Sequence, residues 1–406
     1  MEQRPPQSKP HTHRKRTQLL LIIFVVIVGI TSAVAFYSQH RKQPSPMPLS
    51  KTIMKPEVQQ KVSSSMAVVG EVFWGRGIEY FANRSPLKNA FPFSGLSVDI
   101  KNKYDNWIGD LECPVTSTDI PYQTQVDNLR FNCRPEYLSE AKKWFNIFTL
   151  ANNHSFDNRG ATGESETRNN LEAAGIQYFG SYDVTDTSNI CEVVAMNAKS
   201  TEGAVLTNVK IPVAMCGYML VVDSAPTDAE LAVIKQYADV MPVIVMPHMG
   251  VEYRPTAEDI KVESYHRMID AGADVVLATH PHVIQNSENY KGRLIQYSAG
   301  NFMFDQQSIG HNNTLSLAVT LNLELNDQNA ISAYEAVGSG CAAFKDTCLA
   351  QLKQKIPVRP TFTVSYGYEC FYEPNYFPKP ADTGTCNEIL QQSTWHAATA
   401  NLSKTW

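Results

Sequence analysis

Four of the ten histidines in this 406-residue chain directly follow apolar runs. His154 closes Thr149-Leu150-Ala151-Asn152-Asn153-His154, and Asp157 comes three residues later. His248 ends the run Val243–Pro247, with Glu252 four residues on. His280 and His282, one residue apart, end Asp274–Thr279. Two further runs end in acids: Met66–Gly70 in Glu71, and Asn106–Gly109 in Asp110 and Glu112. Short apolar runs of this kind read as buried strands. The carboxyl edge of such strands is where open α/β sheets bind ligands. One such loop alone is ordinary turn chemistry, because Asn and Asp are common turn formers. Several strand ends bringing imidazole, amide and carboxylate to one edge predict a metal site.

Mixed nitrogen and oxygen donors suit one or two divalent ions such as Mn, Fe or Zn. The strand-end groups collected in this way are Glu71, Asp110, Glu112, Asn153, His154, His248, His280 and His282. The cysteines do not fall at strand ends in zinc-ribbon spacing, which argues against a thiolate site. A carboxylate bridging two metals about 3.5–4 Å apart is the arrangement that clamps a phosphoryl group and activates water. His154 is placed to protonate a leaving oxygen, and Asp157 to orient its imidazole. On an extended chain Asp110 and Glu112 point to the same side, where two carboxylates repel unless a cation or proton lies between them. Arg76, Asp110, Glu252 and Asn301 are further candidates for ligand contact. Arg76 could grip an anion through its fork of donors or be an ordinary exposed side chain. Asn301 lies where the run Leu294–Phe304 breaks at Ala299-Gly300-Asn301.

Strands and helices alternate for most of 66–325, which predicts an α/β layered fold. Helices are expected over Arg134–Phe145, Glu164–Ala174, Pro226–Tyr237 and Thr256–Ala271. The chain divides into a basic tail (1–18), an apolar segment (19–37), a Pro-containing linker (38–62), a main domain (63–335) and a Cys-containing appendage (336–406). The apolar segment carries no charge and is long enough for a bilayer core of about 30 Å. Arg14-Lys15-Arg16 favours a cytoplasmic N-terminus and an extracytoplasmic main domain. A cleaved signal peptide is the rival reading, with Ala33-Val34-Ala35 as the cleavage site. All eight cysteines follow this segment, as expected for an exported chain with up to four disulfides. Sequential pairing is the simplest of the ~105 connectivities. Ten of the 35 basic and two of the 40 acidic residues precede residue 63, so the remainder carries 25 against 38, a net of −13. Such a surface repels polyanions at long range. With no basic stripe and no reader motif, nucleic acid is not an expected partner.

Four ordered stretches, LANNHSFDNRG (150–160), PHMGVEY (247–253), ATHPHVIQNSENYKG (278–292) and YSAGNFMFD (297–305), carry a family resemblance. From about 66 to 325 the chain resembles the CapA family of poly-γ-glutamate capsule synthesis proteins, whose fold is similar to that of calcineurin-like metallophosphatases. The resemblance implies a four-layer αββα sandwich and a role in making or exporting a poly-γ-glutamate capsule. It also implies partners: the polymer, a membrane-associated amide ligase and a small membrane protein. The first metallophosphatase motif is normally Asp-x-His; here the matching positions are Glu71, Val72 and Phe73. The second, usually Asn-Leu-Glu, is Asp110-Leu111-Glu112. The resemblance implies metal ligands Asn153, His248 and His280 with a bridging Glu112 at one position; the other would lack a nitrogen ligand, leaving Glu71 and His282 to hold that ion. Three functions are compatible with these residues: a capsule-assembly component, a metal-dependent hydrolase of a phosphoester or γ-glutamyl amide, and a scaffold whose site has decayed. Fold alone does not choose between them.

Overall fold

The computed structural model describes residues 59–406 apart from 222–224, 339 and 344. The basic tail, the apolar segment and nearly all of the linker lie outside the described residues. Among the described residues no helix is long and apolar enough to cross a membrane.

The fold is a mixed α/β structure built on two groups of parallel strands. In the first, β1 (Gln60–Val72), β2 (Asn106–Leu111), β3 (Ile147–Thr149) and β4 (Gln177–Phe179) pair in that order. In the second, β6 (Val205–Val221), β7 (Val243–Gly250), β8 (Val275–Leu277) and β10 (Arg293–Gln296) pair in parallel, with β9 (Ser287–Tyr290) antiparallel at the edge. β5 (Cys191–Glu202) pairs with β6 along its length and with the start of β1, so the ladder runs unbroken between the groups.

Strand alternation divides the apolar side chains between two cores. Met66 and Val68 of β1 join Ile108, Ile147 and Val243–Val245 in one. Ala67 and Val69 join Ile78, Ala82 and Leu138 in the other. Ile78 and Ala82 belong to helix α1 (Arg76–Arg84). Every residue of β7 is buried, as expected of a strand covered on both faces. Each buried aliphatic there stabilises the fold by about 1.5–3 kcal/mol. Pro247, which has no N–H to donate, lies beyond Ile244 and Val245, where β7 pairs with β8. Helices α2 (Ala161–Ala174), α3 (Asp228–Ala238) and α4 (Asp259–Asp270) fill three of the expected helical stretches. The fourth, Arg134–Phe145, forms only a 3-10 turn (Pro135–Tyr137) and one α-turn (Leu138–Ala141). Asn146 exchanges hydrogen bonds with the Trp107 backbone, which draws the chain into β3 and ends the helix.

The cysteines pair sequentially: 113–133, 191–216, 341–348 and 370–386. Residues 336–406 differ from the expected appendage. β12 (Thr363–Tyr372) pairs with β11 (Leu315–Leu325) from Tyr372↔Leu315 to Thr363↔Glu324, and β11 pairs with β1. Phe362, Val364, Trp395 and Trp406 lie in the same core as β7. This segment extends the main sheet.

Candidate metal centre

Parallel pairing brings the carboxyl ends of β1, β2, β3, β7 and β8 together. Glu71 sits near the end of β1, Glu112 just past β2, Asn153 and His154 past β3, His248 within β7, and His280 and His282 past β8. Close backbone packing sets the depth of this edge. A Cβ on Gly70 would stand 1.9 Å from the Gly300 carbonyl oxygen, so only glycine lets the 299–303 loop cross here. Phe302 and Met303 N–H both donate to the Glu71 carbonyl at 3.0 Å. His280 (φ 98°) and His282 (φ 57°) both have left-handed backbones. Such conformations cost on the order of 1–3 kcal/mol for a non-glycine residue and gather at functional sites.

Two sets of donor atoms converge: Glu112, His248 and His280 in one, Glu71, Glu112 and His282 in the other. Glu112 belongs to both. Its Oε1 lies 3.8 Å from His248 Nε2, 3.6 Å from His282 Nε2 and 3.9 Å from His154 Nε2. His280 Nδ1 is 3.0 Å and Asn153 Oδ1 2.7 Å from His248 Nε2. The Glu71 carboxylate accepts from the His280 backbone N–H at 2.5 Å.

The outward nitrogens fix the inward ones. His248 Nδ1 donates to Asp110 Oδ2 at 2.8 Å, which leaves the Nε2 lone pair facing Glu112. His282 Nδ1 donates to Asn301 Oδ1 at 2.9 Å, with the same result. Thr279 and Asn152 also donate to Asp110. Burial pushes the Asp110 carboxyl up to about 7 against the pull of these donors. Burial, and then the neighbouring imidazoles, hold His248 well below its ordinary value. Burial likewise lowers His280 and His282. At neutral pH these rings are neutral, which is the form that ligates metals. Burial raises Glu71, and it raises Glu112 strongly with help from Glu71 and Asp110.

Both Glu112 oxygens and Glu71 Oε2 are buried without a hydrogen-bond partner among the described residues. Leaving such acceptors unpaired costs about 1–3 kcal/mol each, more when charged. Three orphaned carboxylate oxygens facing neutral imidazole lone pairs fit a divalent ion. The donors are nitrogen and oxygen only, compatible with Mn, Fe or Zn.

His154 stands at the rim of this cluster. Asp157 Oδ2 lies 2.6 Å from its Nδ1, and the Phe131 ring stacks on it at 3.8 Å. The four other candidates are placed differently from metal ligands. Asp110 orients His248, and Asn301 orients His282. Arg76 is nearly buried and its guanidinium is ion-paired with Asp305, lying 4.2 Å over Phe131. Its charge is therefore already matched. Glu252 is exposed and joins neither donor set.

Other site residues carry no signal that strand-end reading uses. Thr279 and Asn152 adjoin predicted ligands, and Asp305 ends the 297–305 motif, so adjacency could have found them. Tyr253 (φ 64°) is held by its N–H to the Pro281 carbonyl, while Gln306 donates to its hydroxyl. Gln306 also accepts from Asn301, so hydrogen bonds connect Tyr253 to His282. Glu373, just past β12, accepts from the Phe304 N–H and so anchors the loop that carries Asn301 and Asp305.

Residues 65–306 match the family model described as "Bacterial capsule synthesis protein PGA_cap". The chain is 29% identical over 263 residues to "Capsule biosynthesis protein CapA" of Bacillus anthracis, covering 60% of each chain. It is 27% identical over 252 residues to "PGA biosynthesis protein CapA" of Bacillus subtilis (strain 168), covering 60% of this chain and 63% of that one. The chain thus spans about three fifths of the length of these curated relatives. Among solved structures, TT1561 of Thermus thermophilus aligns at 9% identity and a TM-score of 0.34, over 63% of this chain and 93% of that one. With the family model covering more than half of its length and all of the strand-end cluster, the chain belongs to the bacterial capsule synthesis protein PGA_cap family.

Proposed function

We propose that the chain is a membrane-anchored, extracytoplasmic component of poly-γ-glutamate capsule synthesis or export, whose metal centre engages the polymer. The observation that carries this is Glu112, an orphaned carboxylate shared by two donor sets inside the region that matches the capsule family. The four disulfides support an oxidising compartment. The charge-free segment 19–37 supports an anchor, and two helix-flanked groups of parallel strands support the metallophosphatase-type αββα reading. On this reading the partners are the polymer, a membrane-associated amide ligase and a small membrane subunit. Gene deletion followed by assay of surface polymer tests the role. Polymer lost on deletion and restored by the wild-type gene but not by His280→Ala supports it; unchanged polymer removes it.

A second reading, metal-dependent hydrolysis of a phosphoester or γ-glutamyl amide, is favoured by the His154–Asp157 pair beside Glu112. A divalent ion bound here supplies Lewis acidity. His154, held by Asp157 and by stacking on Phe131, can deliver a proton from Nε2 to a leaving oxygen or nitrogen. Purified protein with Mn or Zn, first on a generic phosphoester and then on the polymer, tests this. Turnover lost in His154→Ala with metal content unchanged supports catalysis; no turnover of either substrate counts against it.

A further inference from the structure

The two segments that meet at His154, 130–134 and 154–159, carry three arginines that differ in one respect. Arg134 pairs with Asp119 and Glu136, and Arg159 pairs with Glu166. Arg130 has no acidic partner among the described residues. It is exposed, and its Nε donates to the Asp157 carbonyl at 2.7 Å. That bond uses one donor of five and leaves both terminal nitrogens of the fork open.

Its position is over-determined. The next residue, Phe131, donates its N–H to Asp157 Oδ2 at 2.7 Å and stacks its ring on His154. The preceding residue, Leu129, has a left-handed backbone (φ 49°). Cys133 is bonded to Cys113, the neighbour of Glu112. The turn bearing Arg130 is therefore fastened to the residue that orients His154 and to the strand end that carries the shared carboxylate. Arg76, the arginine nearer the cluster, is already neutralised by Asp305. Against the net charge of −13 carried by residues 63–406, Arg130 is an open cation tied to the Asp157–His154 pair.

We propose that Arg130 is a specificity-determining residue that grips a carboxylate of a polyamide carrying one free carboxylate per residue, while a neighbouring group of that chain lies at the metal centre. This rests on the polymer-engaging reading above and adds what it lacks: a contact that separates an extended polyanion from a small anion. On this assignment a compact anion such as inorganic phosphate, engaged at the centre alone, is indifferent to Arg130.

The test is calorimetric titration of the full-length chain, purified in detergent and loaded with Mn, with a short γ-linked glutamate oligomer and separately with inorganic phosphate. Losing a charge-assisted hydrogen bond should weaken oligomer binding by about ten- to hundredfold in Arg130→Gln. Phosphate affinity and metal content should stay at wild-type levels. Arg130→Lys, which keeps the charge without the fork, should fall between the two. Oligomer affinity unchanged in Arg130→Gln, or phosphate affinity falling equally, would overturn the assignment while leaving polymer engagement standing. A wild-type protein that binds phosphate but no oligomer would overturn both.

Discussion

The two donor sets of the centre are built from different atoms. Beside the shared Glu112, one offers two imidazoles, His248 and His280, with the Asn153 amide next to them; the other offers a second carboxylate, Glu71, and a single imidazole, His282. Nitrogen-rich sets favour borderline ions, and oxygen-rich sets favour harder ones. Their supports differ too: His248 leans on a carboxylate, Asp110, and His282 on a neutral amide, Asn301. A carboxylate behind an imidazole raises its basicity more than an amide does. The lesson is that one position should fill first and hold its ion more tightly. Glu71 belongs only to the oxygen-rich set.

The largest effect that would break this comparison is at the shared residue. Glu112→Gln should reduce metal content at both positions, read by elemental analysis of the purified protein. Retention of a full first equivalent would show that His248 and His280 bind without the bridge.

Next in size is the pH dependence of the metal-free protein. Glu71 and Glu112 are raised above 4.5, so their contribution to stability is fully present below that value and is lost as pH rises through their folded values. His248 and His280 are lowered below 6.5, so their contribution is present above 6.5 and is lost as pH falls. Above 6.5 the imidazoles are neutral in both states and the carboxylates alone remain. The melting temperature of chelator-treated protein should therefore fall relative to the Mn-loaded form as pH rises through the folded values of Glu71 and Glu112. A constant gap would mean that the carboxylates are not the burden the ion relieves.

Smaller effects sharpen the difference between the supports. Asp110→Asn should weaken the first equivalent by about 10–100-fold. Asn301→Ala should weaken only the second, and by less. Metal titration resolves the two steps; equal losses at both would show a single coupled site.

Much of the centre is legible in the sequence because strand ends announce themselves. Glu112, His248, His280 and His282 each follow an apolar run, and parallel pairing does the rest. Asp110 and Glu112, expected on one side of the chain, lie at opposite nitrogens of the His248 ring, 2.8 Å from Nδ1 and 3.8 Å from Nε2. Parity gives the side but not the depth, so it could not tell the orienting acid from the bridging one. Arg76 is legible as a cation near the site, but its partner Asp305 comes from 229 residues away. The strand Thr363–Tyr372 is hidden for a related reason. It has a single aliphatic, Val364, and its burial does not alternate cleanly, since Tyr368 is exposed while Cys370 and Phe371 are both buried; its pairing with β11 is non-local.

Glu373 gives the last strand a genetic meaning. A stop codon between residues 326 and 362 removes no predicted ligand, yet it removes β12, the core residues Phe362, Val364, Trp395 and Trp406, and the anchor for the Phe304 N–H in the loop that holds Asn301 against His282. Nonsense alleles at the 3′ end of the gene should therefore weaken the fold and the centre together, whereas Glu373→Gln, which keeps the strand, should affect only the second equivalent of metal. Glu373→Gln protein that still holds both equivalents would show the loop to be self-supporting.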